Sequence, residues 1–139
     1  MANLLNTDLE IIDVDELKKK YNCIVLCPWQ LPRLKGSFDL FVNFMSFQEM
    51  EPHIVKNYIS IAEKHTNHYI LMRNSKYGKK IAANNTDIGV KNPTKSSSMY
   101  DMFEGFSLVK KDHVAYGHYS DSHVSEIACL TKINRDTML

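Results

Sequence analysis

Apolar and polar positions in the middle of the chain switch between two periods. Residues 38–44, Phe-Asp-Leu-Phe-Val-Asn-Phe, make a run rich in strand-favouring residues and too short for a globular helix. Residues 69–72, Tyr-Ile-Leu-Met, make a second such run. Between them Met50, Ile54, Tyr58, Ile61 and Ala62 recur at helical spacing, flanked by Val55 and Ile59. That is the wide stripe of a helix lying on a sheet. The sequence therefore predicts a βαβ unit, two parallel strands joined by a right-handed crossover.

The entry to the helix carries two signals. Ser46-Phe47-Gln48-Glu49 has the capping-box pattern, with Ser46 accepting from the Glu49 amide and Glu49 reaching back. Pro52 would bend a helix that ran on from this cap, because it lacks an N–H and its ring clashes with the preceding turn. The cheaper arrangement is a tight corner over residues 47–51 and a helix restarting with Pro52 in its first position. We expect the second.

Around this unit the signals are shorter. Residues 13–20 read as a helix with acids in its first turn and lysines in its last. Residues 23–27 are a short strand candidate stopped by Pro28, and residues 29–34 an irregular turn. Residues 106–110 and 126–133 are late strand candidates, the first with residues 114–116 as a potential extension. A late pair of this kind commonly adds an antiparallel member to a mostly parallel sheet. Residues 75–100 hold few apolar positions and no period. A loop of that length is expected to be a lid, a binding loop or a mobile segment, and Arg73, Lys76, Lys79 and Lys80 make its base positive. The fold class is α/β with a mixed sheet, in a single domain over residues 1–139.

Composition narrows the function classes. A length of 139 residues suffices for a core without staples, and a net charge of +1 argues against nucleic acid as the main partner. Three cysteines fit a reducing compartment better than a disulfide framework. No stretch approaches the ~20 apolar residues of a membrane span. Asp8 and Glu10 stand where a signal peptide would be apolar, so a cytoplasmic location is expected. The five glycines are isolated, with no G-x-G arrangement and hence no nucleotide fingerprint.

In an open parallel sheet, ligands bind beyond the C-terminal ends of the strands. That rule selects Asn43, Ser46, Phe47, Gln48 and Glu49 after the first strand, and Arg73, Asn74 and Ser75 after the second. Glu49 can orient a hydroxyl or take its proton, provided burial raises its pKa; its other role is to cap with Ser46. Asn43 and Asn74 can present amides to a ligand or satisfy loop backbone. His113, His118, Asp121 and His123 carry metal-compatible groups. Their spacing matches no established pattern, and no metal is expected. Met45, Met50 and Met72 read as core filler.

Residues 39–50, Asp-Leu-Phe-Val-Asn-Phe-Met-Ser-Phe-Gln-Glu-Met, followed by Val55-x-x-Tyr58-Ile59 and by Tyr69-Ile70-Leu71-Met72-Arg73-Asn74, resemble the C-terminal portion of a sugar O-methyltransferase family. These are class I, S-adenosylmethionine-dependent enzymes with a Rossmann-like sheet in the order 3-2-1-4-5-7-6. The resemblance implies that residues 24–26, 38–44 and 69–72 correspond to family strands 3, 4 and 5, and the two late runs to strands 6 and 7. Family strands 1 and 2, with the glycine-rich turn that binds the cofactor, have no counterpart. The implied activity is methyl transfer from S-adenosylmethionine to a hydroxyl of a sugar or polysaccharide precursor, in an intact enzyme of which this chain is a part. The implied roles are Glu49 as orienting group or base, with His53 and His113 as rival bases. Asn43 and Ser46 would lie at the cofactor boundary, with Gln48, Arg73 and Asn74 toward the substrate. Without family strand 1, the edge of the 38–44 strand would be unpaired, a pairing liability that self-association or a missing N-terminal half would cover. The other reading is a non-catalytic α/β remnant or partner-binding module.

Overall fold

A computed structural model describes residues 11–84, 88–113 and 125–133. Its centre is the expected βαβ unit. Strand β3 (Phe38–Phe44) leads through a one-turn 3-10 helix (Phe47–Glu49) into helix α2 (Pro52–His65), which runs directly into β4 (Thr66–Ser75). Helix α2 begins with Pro52 in its first turn, where a missing N–H costs nothing. The preceding corner is not a capping box. Ser46 makes no side-chain cap bond, and its hydroxyl accepts from the Asn43 amide instead.

Two shorter elements precede this unit: β1 (Ile12–Asp13) with helix α1 (Val14–Lys18), and β2 (Leu34–Lys35). The acid-first, lysine-last pattern forms α1, capped by Asp13, whose carboxylate accepts from the amides of Asp15 and Glu16. β1 and β2 pair in parallel, apart from the main sheet. Residues 23–27 form no strand. Only Val25 is bridged, because an apolar run becomes a strand only where a neighbour satisfies its backbone along its length. Residues 29–34 are covered largely by a 3-10 helix, Pro28–Arg33.

After β4 come α3 (Ser96–Asp101), β5 (Phe106–His113) and β6 (Ser125–Lys132). The main sheet has the order β3-β4-β6-β5, with β3 and β4 parallel and β6 antiparallel to both β4 and β5. The order matches the 4-5-7-6 portion of a Rossmann-like methyltransferase sheet; among the described residues nothing supplies strands 1 and 2, and residues 24–26, expected as strand 3, add no strand to it. Residues 75–100 are less formless than their composition predicts. Ile81 and Val90 bridge, and the end of the segment folds into α3 around buried Ser96 and Met99. Glu51 ties the segment down by accepting from the backbone amides of Lys91 and Asn92, at 2.6 and 3.1 Å.

The core lies on one face of the sheet. Val55 and Ile59 of α2 pack with Ile70 and Met72 of β4, Ala128 and Leu130 of β6, and Met99 and Phe103. The buried line of α2 is therefore Val55–Ile59–Ala62, one residue round from the expected stripe, and Ile54 is 39% exposed. Tyr58 and Ile61 line an apolar cleft beside β3 instead. Of the methionines, Met72 is fully buried, Met50 flanks the core and Met45 is largely exposed. Leu40, Val42 and Phe44 lie exposed on β3, whose free edge has no partner among the described residues.

Truncation separates the buried line from the exposed flank. Ile59→Ala should lower unfolding free energy by roughly 2–5 kcal/mol, whereas Ile54→Ala should stay within about 0.5 kcal/mol. Urea denaturation followed by circular dichroism measures both.

Candidate functional site

β3 and β4 are parallel, so their C-terminal ends meet at one edge of the sheet. The chain leaves β3 through Met45, which adopts a left-handed φ of 61°. That conformation is costly for a side chain with a Cβ. It is held by the Met45 N–H donating to Arg73 O at 2.7 Å. The following corner is anchored by Phe47, which is buried and stacks on Phe41 and Tyr58 at 6.0 and 6.4 Å between ring centres.

This geometry gathers six of the sequence-selected residues into two adjoining hydrogen-bonded sets, which meet in sequence at Asn74 and Ser75 and together form the site's polar network. Asn43 Nδ2 donates to Ser46 Oγ at 2.5 Å, and Asn74 Nδ2 donates to Asn43 Oδ1 at 3.1 Å. Gln48 Oε1 accepts from the Ser75 amide at 2.5 Å, and Gln48 Nε2 donates to Glu49 Oε1 at 3.1 Å. Asn43, Gln48 and Asn74 are all buried. The Asn74 Oδ1 and Ser75 Oγ atoms are buried without a hydrogen-bond partner among the described residues. Groups of this kind normally meet water or a ligand.

Glu49 is the network's charged end. Its Oε2 lies 2.6 Å from Lys79 Nζ. Partial burial pushes its pKa up, but Lys79 and the Gln48 amide outweigh that and hold it below the ordinary glutamate value. The burial-raised pKa that a general base requires is thus not found here. Glu49 is built to stay ionised and to accept hydrogen bonds. Lys79 was visible in the sequence only as one of several positive residues at the base of the loop.

The other selected residues lie elsewhere. His53 is exposed on the first turn of α2, near Glu51. Arg73 follows Met72 on β4, and strand alternation sends it to the sheet face opposite Asn74. His113 ends β5, two strands away, opposite Glu126 in the register. His118, Asp121 and His123 lie outside the described residues. Among the described residues no cluster of histidine, cysteine, aspartate or glutamate is suited to a metal. No helix among them is long and apolar enough to cross a membrane.

Asn43 and Ser46 form the polar rim of the cleft beside β3, a half-open space of about 390 Å³. Leu40 and Val42 of β3, Tyr58 and Ile61 of α2, and Leu31 line its apolar floor. That volume lies in the range of small-molecule and cofactor sites.

No family model matches the sequence, and no curated protein matches it. Solved structures do match. One is magnesium protoporphyrin IX methyltransferase (ChlM) from Synechocystis PCC 6803 with bound S-adenosylmethionine, at 13% identity and a TM-score of 0.53, over 86% of this chain and 50% of that one. Another is Burkholderia thailandensis 1,6-didemethyltoxoflavin-N1-methyltransferase, at 11% identity and a TM-score of 0.59, over 86% and 56%. A third is the N-methyltransferase NodS from Bradyrhizobium japonicum WM9, at 10% identity and a TM-score of 0.54, over 86% and 65%. The chain spans about half the length of the first two. At these identities the likeness shows the fold alone, the part of a Rossmann-like sheet that this chain shares with those structures.

Two outcomes test the network. Asn43→Ala leaves Ser46 and Asn74 without their shared partner and should cost roughly 1–3 kcal/mol, read from chemical denaturation. Glu49 has a folded-state pKa below its unfolded one, so its stabilisation is present at neutral pH and lost as pH falls through the folded value. Glu49→Gln should therefore be less stable than the parent at neutral pH, with the difference shrinking in acid. Because the pair is partly exposed, the effect should be small. Denaturation midpoints across the acid range measure it.

Proposed function

We propose that this chain is the substrate-facing portion of an enzyme that transfers a methyl group from S-adenosylmethionine to a sugar hydroxyl. The observation that carries the reading is the convergence, at the C-terminal ends of β3 and β4, of a buried amide and hydroxyl network with an apolar cleft. The sheet order is the one in which methyltransferases of this class build their sites.

The residues present fit one wall of a cofactor site. Asn43 and Ser46 offer polar atoms at the rim of an apolar cleft of suitable size, and two buried acceptors nearby lack partners. The glycine-rich turn and the acidic residue of the opposite wall are not in this sequence. They would come from polypeptide that pairs with the open edge of β3, either the missing N-terminal half or a neighbouring subunit. When bound, the cofactor supplies an electrophilic methyl group on a sulfonium. The protein's task is then largely positioning. Glu49, kept ionised by Lys79, accepts a hydrogen bond from a sugar hydroxyl next to the reacting one and so orients the acceptor. Lys79 and Gln48 fix Glu49 in turn. Residues 75–100, tethered through Glu51, close over the sugar.

A non-catalytic module is the second reading. The absence of a glycine-rich turn favours it for these residues taken alone.

Calorimetric titration with S-adenosylhomocysteine, with solution mass measured on the same sample, separates the two. Micromolar binding by an assembly larger than one chain supports the enzyme reading. No binding by a folded sample assigns the chain to the module. In a form that binds cofactor, Glu49→Gln should lower turnover with little change in cofactor affinity. Unchanged turnover would reduce Glu49 to a structural partner of Lys79.

A further inference from the structure

A second polar cluster lies at the same end of the sheet, on β6 and β5. Glu126 is 2% exposed, an unusual position for a carboxylate. Its Oε2 accepts from the Ser96 hydroxyl, and Ser96 is itself fully buried. Its Oε1 faces His113 Nδ1 at 3.8 Å and Lys111 Nζ at 4.0 Å. Glu126 sits between Asn74 and His113 in the strand register, so one row across the sheet reads Asn74, Glu126, His113. The neighbouring Tyr100 is also buried. Burial raises its hydroxyl pKa above the ordinary value, the nearby Ser96 lowers it, and the Glu126 charge raises it further.

A buried carboxylate is costly unless its lone pairs are used. Ser96 uses one oxygen. The other faces the imidazole of His113, whose side chain is mostly exposed while that of Glu126 is not. This is the arrangement in which a carboxylate selects a histidine tautomer, accepting a hydrogen bond from Nδ1–H and leaving Nε2 as a lone-pair acceptor. Of the groups the sequence singled out as bases, Glu49 is ion-paired and held ionised, and His53 stands exposed on its helix. Only His113 has a buried anion behind it.

We propose that Glu126 is a positioning residue that holds His113 as its Nδ1–H tautomer, with Nε2 presented as the proton acceptor of the site. The source of the proton rests on the methyl-transfer reading: the acceptor O–H bond would break, its proton passing to the Nε2 lone pair, while its electron pair would form the new O–C bond as the C–S bond of the sulfonium breaks and leaves its pair on sulfur. The resulting imidazolium is stabilised by the Glu126 charge. At 3.8 Å the pair lies beyond hydrogen-bond distance, and the assigned tautomer requires it to shorten in solution, as loosely formed hydrogen bonds of ligand-free sites can.

The tautomer can be measured without activity. Two-bond proton–nitrogen correlation spectra of the ¹⁵N-labelled chain, at a pH where His113 is neutral, should place the proton on Nδ1. The Nε2–H form at His113 would overturn the proposal. In Glu126→Met, which keeps the length of the side chain and removes its charge, the proton should move to Nε2. Retention of the Nδ1–H form in that variant, once shown to be folded, would equally overturn it. If the variant does not fold, the parent spectrum decides alone. Neither result depends on cofactor binding, so failure of the methyl-transfer reading remains separately visible in the calorimetric titration.

Discussion

The structure depends on the packing of α2 across β3 and β4. Val55 and Ile59, both essentially inaccessible, press on Ile70 and Met72, and this contact joins the parallel pair across its crossover. Parallel strands cannot be joined by a tight turn, so the helix is the covalent connection as well as the cover. Two consequences follow from that one constraint. Both strands end at the same edge of the sheet, which brings Asn43 and Asn74 within hydrogen-bond distance although they are distant in sequence. The corner before the helix must then reverse the chain abruptly. Buried Phe47 and Gln48, together with the left-handed backbone at Met45, carry that reversal.

Two carboxylates at this edge of the sheet have opposite environments. Glu49 is partly exposed and in contact with a lysine, so its charge is stabilised and its affinity for protons reduced. Glu126 is desolvated, with a serine on one oxygen and more distant cations on the other. The first suits holding a neutral hydroxyl, because an acceptor need not change protonation state. The second suits control of a neighbouring imidazole, because a buried charge acts through a lower effective dielectric. On the proposed reading, this division of labour would follow from burial and not from residue type.

The elements whose signals are local were legible in the sequence. The strand at residues 38–44, the restart of the helix at Pro52 and the acid-to-lysine polarity of α1 all follow from short-range rules, and the structure agrees with each. What failed needed distant information. The Ser46–Glu49 capping box did not form because Asn43 takes the Ser46 hydroxyl and Lys79 takes the Glu49 carboxylate. The buried line of α2 falls one residue from the expected one because the stripe is wider than the surface the described sheet offers. Val55 and Ile59 meet the core, while Tyr58 and Ile61 are left to the cleft. The Glu126–His113 pairing depends on the register of an antiparallel pair with an irregularity between Leu108 and Lys110, which no periodicity in the sequence reveals.

The same cleft explains why the chain reads as half of a sheet. β3 presents Leu40, Val42 and Phe44 exposed, contains no lysine or proline, and has no partner on its outer edge among the described residues; soluble proteins rarely leave such an edge bare. α2 meanwhile turns apolar side chains past the limit of the sheet it covers. An edge strand and a helix flank that are apolar toward the same empty side describe a missing neighbour of a particular kind: a strand parallel or antiparallel to β3, with a layer beneath it that meets Tyr58 and Ile61. Asn43 and Ser46 sit where such a neighbour would end. On the proposed reading, completion of the sheet and completion of the site would be one physical event, the polar rim of the cleft gaining its second wall when the backbone of β3 gains its second partner.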